Sequence, residues 1–262
     1  GQRMALGERS GRVALASVRL LQSGGMREVV LQRHGPEIEA FAFSPDGRWV
    51  AMADVQGTVQ LWDTASAQKL STEVGYVDRG LADRSPSQLC WTPDGSHLAW
   101  AGATGTLLVW RLSPISSSRQ PSRARLEDRL VLQAHLGPIA SLHCSPRHHR
   151  LVTVGRDDGQ VRLWEISSEA GLTASDRTFR FPKGRVPRVV LSPDGRWMAS
   201  VMPEDQDICL WDISGQRLWR GPMKEQGSSV MTLAFDPSGE SIVSGRADGG
   251  LASWSLHRRH AV

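Results

Sequence analysis

Apolar and polar residues alternate in short runs along almost the whole chain. In residues 41–64, FAFSPDGRWVAMADVQGTVQLWDT, three such runs are separated by two turn signals. The runs AFAF, RWVAMA and TVQLW are rich in β-branched or aromatic residues and too short for helices, so each predicts a strand. Pro-Asp-Gly between the first two supplies a fixed φ, a side chain that caps its own turn and a residue that tolerates φ > 0. The pattern recurs as TPDGSHLAWAGATGTLLVWR (92–111), SPRHHRLVTVGRDDGQVRLWE (145–165), SPDGRWMASVMPEDQDICLWD (192–212) and DPSGESIVSGRADGGLASWS (236–255). Pro45, Pro93, Pro146, Pro193 and Pro237 lie 17 or 18 residues before Trp62, Trp110, Trp164, Trp211 and Trp254, and successive Trp are 43 to 54 residues apart. A weaker strand separates the units: REVVLQRHGP (27–36) is echoed by DRLVLQAHLGP (128–138).

Four short antiparallel strands in about 45 residues, with a Gly-His-like start and a Trp-Asp-like finish, resemble WD40 repeats. The resemblance covers nearly the whole chain and implies an all-β, WD40-like β-propeller, in the style of bacterial arrays within larger multidomain proteins. SGRVALASV (10–18) aligns with QGTVQLWDT (56–64), which adds a partial first blade over ~4–33. The following units run over ~34–73, ~74–134, ~135–182, ~183–221 and ~222–257 of a single domain, 1–262. About six four-stranded blades are expected, the first and last incomplete. The chain is expected to be part of a longer protein, with an outer-strand slot left beside residues 250–256.

In WD40 repeats a His at the blade start, a Ser on the second strand, an Asp in the next turn and the Trp form a hydrogen-bonded tetrad. Carried over by position, the resemblance implies His34 and Trp62 in the first full unit, with Gln56 for Asp. The third unit has His135, Asp158 and Trp164 with Val154 in the Ser place. The fourth has only Asp205 and Trp211, and the fifth has Ser244, Asp248 and Trp254. No unit is complete on this reading. A His-Asp pair near a hydroxyl suggests a catalytic triad, but repeated buried groups that satisfy one another account for it as a structural device.

Composition narrows the function. The chain holds 31 Lys and Arg against 27 Asp and Glu, a formal charge of only +4, so it is not a strongly basic nucleic-acid binder as a whole. The three cysteines, Cys90, Cys144 and Cys209, include no CxxC and read as small buried apolar residues in a reducing, cytoplasmic setting. No apolar stretch is long enough for a membrane helix, and no signal-peptide pattern opens the chain. HCSPRHH (143–149) matches no zinc spacing, and its neighbours on a strand point to opposite faces. No metal, cofactor or catalytic residue is expected. Gly-rich phosphate loops and nucleophile motifs are absent from the sequence.

The expected function is therefore recognition, by a non-catalytic scaffold whose turns present a partner-binding surface. After each second strand the turn places unlike residues at like positions. Asp54, Arg156, Asp157, Glu204 and Arg246 form the expected partner-binding rim, and Arg156 and Arg246 would favour a protein or peptide with acidic groups. The alternative is a nucleic-acid-binding propeller using Arg119, Arg123, Arg125 and Lys183, in and beyond the Ser-rich loop at 113–125. A hydrolase on the same scaffold would need ionisable residues clustered at one mouth, and the repeats supply none.

Overall fold

The computed structural model describes residues 3–7, 11–17, 28–32, 35–74, 88–114, 124–167, 171–180, 188–201, 207–215, 217–223 and 228–256. Among these residues the chain is all β, in six antiparallel sheets, four of them four-stranded and two three-stranded. Each sheet is a propeller blade whose strands pair antiparallel in sequence order. The chain divides into two compact units, Gly1–Ala134 and His135–Val262, each with three blades.

In the first unit, blade 1 comprises β1 (Arg3–Gly7), β2 (Val13–Ser17) and β3 (Glu28–Gln32). Blade 2 comprises β4 (Ile38–Phe43), β5 (Trp49–Asp54), β6 (Thr58–Asp63) and β7 (Lys69–Val74). Blade 3 comprises β8 (Gln88–Trp91), β9 (His97–Ala101), β10 (Thr106–Pro114) and β11 (Ala124–Gln133). Period-two alternation lets one strand bury both faces. On β5, Val50 and Met52 pack with Val13 and Leu15 of blade 1, while Trp49, Ala51 and Ala53 pack with Trp91, Leu98 and Trp110 of blade 3. All six β5 residues are consequently buried. Full burial of a side chain of this size contributes roughly 1.5–3 kcal/mol.

In the second unit, blade 4 comprises β12 (Ile139–Cys144), β13 (Arg150–Gly155), β14 (Gln160–Ser167) and β15 (Gly171–Arg180). Blade 5 comprises β16 (Arg188–Leu191), β17 (Trp197–Val201), β18 (Ile208–Asp212) and β19 (Arg217–Met223). Blade 6 comprises β20 (Val230–Phe235), β21 (Ser241–Arg246) and β22 (Leu251–Ser255). Val152, Val154 and Leu163 of blade 4 pack on Val189, Leu191 and Met198 of blade 5. The other face of blade 5, with Ala199, Val201 and Leu210, packs on Val230, Leu233 and Ile242 of blade 6.

The turn between the first two strands is built alike in blades 2, 3 and 5. In blade 2 the Ser44 hydroxyl donates to Asp46 Oδ1 at 2.6 Å, and the Ser44 oxygen accepts the Trp49 N–H at 2.9 Å. Thr92 with Asp94 and Ser192 with Asp194 repeat this arrangement. The cysteines depart in part from expectation. Cys209 is free and buried, whereas Cys90 and Cys144 are only half-buried.

Candidate recognition surface

The hairpins joining second and third strands carry the residues expected to define function, and they come in two lengths. In blades 2, 3 and 6 the pairs Ala53↔Val59, Ala101↔Leu107 and Gly245↔Leu251 enclose residues 54–58, 102–106 and 246–250. In blades 4 and 5 the pairs Val154↔Val161 and Val201↔Ile208 enclose one residue more, 155–160 and 202–207. The extra residue moves the position diagonal to the Trp by one, and this corrects the sequence-based tetrads.

Blade 4 has Thr153, not Val154, in the hydroxyl place. Trp164 Nε1–H donates to Thr153 Oγ1 at 2.8 Å, and that hydroxyl lies 2.8 Å from His135 Nε2. His135 Nδ1 lies 2.9 Å from Asp158 Oδ2, while Asp158 Oδ1 accepts the Gln160 N–H at 3.0 Å. The tetrad is therefore complete. Burial is the larger influence on His135 and holds it below the ordinary imidazole range, against the pull of Asp158. Burial pushes Asp158 up, but the Gln160 N–H and the His135 hydrogen bond outweigh it and leave the carboxyl below its usual range. A neutral His135 with its proton on Nδ1 satisfies every partner: the indole donates to the hydroxyl, the hydroxyl to Nε2, and Nδ1–H to the carboxylate. The His135 side chain is fully buried and the Asp158 side chain is 7% exposed, so this His-Asp pair fixes a turn.

The other blades keep parts of the network. In blade 5 Trp211 donates to Ser200 Oγ at 2.8 Å, so this unit holds a hydroxyl that the sequence reading missed; Asp205 lies outside the described residues. In blade 6 Ser244 is buried, yet Trp254 Nε1 has no hydrogen-bond partner among the described residues. Asp248 accepts the Gly250 N–H at 2.8 Å at an exposed position. In blade 2 Trp62 donates to Gln60 Oε1 at 3.2 Å, and His34 lies outside the described residues. Trp100 fills the hydroxyl place of blade 3, where Trp110 Nε1 has no hydrogen-bond partner among the described residues.

The expected rim residues separate into two groups. Asp54 is corrected: it is 2% exposed, because its Oδ1 accepts the N–H groups of Gln56 and Thr58 at 2.9 and 2.8 Å, so it closes its own hairpin instead of facing a partner. Its neighbours Val55 and Gln56 are the exposed residues of that turn. Arg246 is also largely engaged at home. Its Nε lies 3.3 Å from Asp248 Oδ1, and its guanidinium covers Gly250. Asp157 is exposed and its carboxylate lies against Gly137, where φ is +147° and a Cβ would collide with it. Arg156 is partly buried, with its backbone N–H bonded to Pro138 O at 2.9 Å. Leu136, at 82% exposure the most exposed large apolar side chain among the described residues, belongs to the same loop pair. The sequence reading missed it, although the Leu in AHLGP was its signal. Glu204, Arg119, Arg123 and Lys183 lie outside the described residues, and Arg125 is ion-paired with Glu127.

The His and Cys cluster of the 143–149 stretch is dispersed. His143 Nδ1 accepts the Leu191 N–H at 3.3 Å, while the His148 ring packs beside Gly195 in the next turn.

These blades, and the tetrad that holds one of them, define a repeat scaffold of propeller type. Residues 26–63 and 127–165 match the family described as WD domain, G-beta repeat, and residues 183–262 match the Anaphase-promoting complex subunit 4 WD40 domain. The chain belongs to the WD40-repeat family. It is 25% identical to Telomerase Cajal body protein 1 of Rattus norvegicus over 81% of this chain and 38% of that protein. It is 23% identical to Transcription initiation factor TFIID subunit 5 of Caenorhabditis elegans over 89% of this chain and 32% of that protein. The Probable cytosolic iron-sulfur protein assembly protein 1 of Cryptococcus neoformans var. neoformans is 26% identical over 48% of this chain and 34% of its own length. The chain thus spans between about a third and two fifths of the curated relatives it matches.

Proposed function

We propose that the chain is a non-catalytic protein-recognition module. The observation that carries this reading is the division of labour in blade 4. The groups capable of chemistry, His135, Asp158 and Thr153, are buried and mutually saturated. The groups facing outward nearby, Leu136 in the loop before β12 and Asp157 with Arg156 in the β13–β14 hairpin, differ from those at like positions in other blades. A rigid hairpin that presents a mixed apolar and charged patch suits a peptide or protein surface. The partner is a protein or peptide in which an aliphatic residue meets Leu136 and an acidic group meets Arg156. Asp157 then sets register more than affinity. The names of several relatives, as subunits and assembly proteins, agree with a role inside complexes.

The test is an affinity pull-down with wild type, Leu136→Asp, an Arg156→Glu/Arg246→Glu double variant and a variant with the 113–125 loop replaced, after circular dichroism confirms each fold. Loss of partners with the first two variants supports the reading. Retention of every partner by them, with loss in the loop variant, transfers the site to the basic loop. A steep log-linear loss of binding with salt would mark a nucleic acid.

A further inference from the structure

Blade 6 ends on β22, and the ladder between β21 and β22 fixes which backbone groups face outward. The Arg246 N–H donates to Gly250 O at 2.9 Å, and the Leu256 N–H donates to Glu240 O at 2.8 Å. Both pairs continue the register that sets Ser244 opposite Ala252 and Ile242 opposite Trp254, so the even-numbered residues bond back to β21. Leu251 and Ser253 therefore turn their N–H and C=O groups to the other side, where no strand lies among the described residues.

The four-stranded blades show what such an edge takes. In blade 3, Leu107 and Val109 stand three residues and one residue before the repeat Trp, as Leu251 and Ser253 do in blade 6. There β11 occupies the outer side, with Leu132 opposite Leu107 and Leu130 opposite Val109, and Gly105 O accepts the Ala134 N–H at 2.9 Å. Opposite the position of Leu251, register sets Leu132, Phe179 and Met223 in blades 3, 4 and 5, and Glu73 in blade 2. Residues directly opposite share a face. An apolar residue in that place would cover Leu251, which is exposed together with its diagonal neighbour Val243.

We propose that the outer edge of β22 receives an extended segment of a protein partner, antiparallel, as the fourth strand of blade 6. The segment carries a large apolar residue opposite Leu251 and is otherwise uncharged where it meets β22, which has no charge of its own. Backbone bonds to Leu251 and Ser253 supply affinity, and the alternating side chains supply specificity. A second copy of the chain fits less well. Two β22 strands paired along their length about a twofold axis would centre on Ser253 and set Ser255 opposite Leu251, leaving the leucine uncovered. The edge lies in a different blade from Leu136 and Arg156, so neither reading depends on the other.

The chain supplies a surrogate for the segment in its own outer strand, Asp-Arg-Leu-Val-Leu-Gln at 128–133. Fluorescence anisotropy with this labelled hexapeptide tests the proposal, at protein concentrations where sedimentation shows a monomer. Wild type should saturate. A peptide N-methylated at its second leucine loses the donor that faces the edge, and one with Asp for that leucine loses the apolar contact. Each should bind about tenfold more weakly. Ser253→Pro removes an edge N–H at a place where proline is tolerated, and Leu251→Lys removes the apolar contact; both should weaken binding similarly. Val55→Ser, on a hairpin of blade 2, should leave it unchanged, and thermal melts confirm that the variants fold. No saturation of monomeric wild type, equal binding of the N-methylated peptide, or undiminished binding by the Leu251→Lys variant overturns the proposal. Self-association that excess peptide does not reverse would give the edge to a second copy and overturns it too.

Discussion

Thr153 Oγ1 shows how much one atom can decide. It accepts from the Trp164 indole and donates to His135, so Thr153→Val, which keeps the shape, leaves two buried polar groups unpaired. Each unpaired group costs about 1–3 kcal/mol, and urea midpoints should fall accordingly, with Thr153→Ser restoring most of the loss. Ser200→Ala removes one hydrogen bond, from Trp211, which is partly exposed, and should cost less. His143 gives a residue-scale pH dependence. Burial pushes its pKa from 6.5 to about 4. The folded value lies below the unfolded one, so the unfolded chain takes the proton first. The stability that follows is fully present above about pH 6.5 and drains away as pH falls toward 4, amounting to roughly 3 kcal/mol at most. His135 is shifted in the same direction, so the contribution is isolated by comparing wild type with His143→Gln. The variant should have a flatter stability profile across that window; an unchanged slope would contradict the assignment. The tetrad itself was legible in the sequence except for one offset. The Pro-to-Trp spacing of 17 residues in three units and 18 in blades 4 and 5 already contained the hairpin difference that puts Thr153 and Ser200 in place. What one sequence could not supply is where the extra residue sits, because a one-residue slip exchanges the two faces of a strand.

At the scale of elements, alternation and turn chemistry were enough to place the strands, because Pro-Asp-Gly and the Trp punctuate each blade at fixed distances. Burial within a turn was not readable. Asp54 looked like a rim residue by position, yet its carboxylate closes its own hairpin, two residues upstream of Gln56. Leu136 looked like the end of a strand and is instead displayed. Hairpin geometry also fixes where backbone must stay bare. A Cβ on Gly155 would collide with Asp158 Oδ1 and His135 Nδ1, so Gly155→Ala must displace the pair that closes the β13–β14 hairpin. A loss of about 2 kcal/mol is expected from breaking such a buried network. Gly245→Ala, on β21 of blade 6 and in register with Val154 of blade 4, meets a Thr232 methyl at 2.8 Å and Leu251 at 3.6 Å but no polar group, and should cost less. Chemical denaturation of the two variants checks the order, and equal losses would mean that the His-Asp contact is not what Gly155 protects.

At the scale of the whole molecule, the blades differ in how completely their faces are covered. Every residue of β5 and of β9 is buried, whereas β22 alternates exposed and half-buried residues along its length. Leu251 is 76% exposed, and Val243 on the neighbouring β21 is 36% exposed. Register places Val243 opposite Ala234 and Ser253, and Gly245 opposite Leu251. One face of blade 6 is thus uncharged and mostly uncovered, while its other face packs on blade 5 through Val230, Leu233 and Ile242. Among the described residues β22 pairs only with β21, and its residues Leu-Ala-Ser-Trp-Ser contain no charge and no proline. Exposed edges are normally blunted by Lys, Pro or a bulge, and uncharged flat ones recruit other strands. The chain on its own should therefore self-associate as its concentration rises. Leu251→Lys adds a charge at an exposed position and should restore a monomer without lowering the melting temperature. Leu210→Lys, a residue 1% exposed between blades 5 and 6, should unfold that region instead. Sedimentation velocity over a hundredfold range of concentration separates these outcomes. A wild type that stays monomeric throughout, or a Leu251→Lys variant that associates as strongly as wild type, would show that the open face of blade 6 is not the source of association.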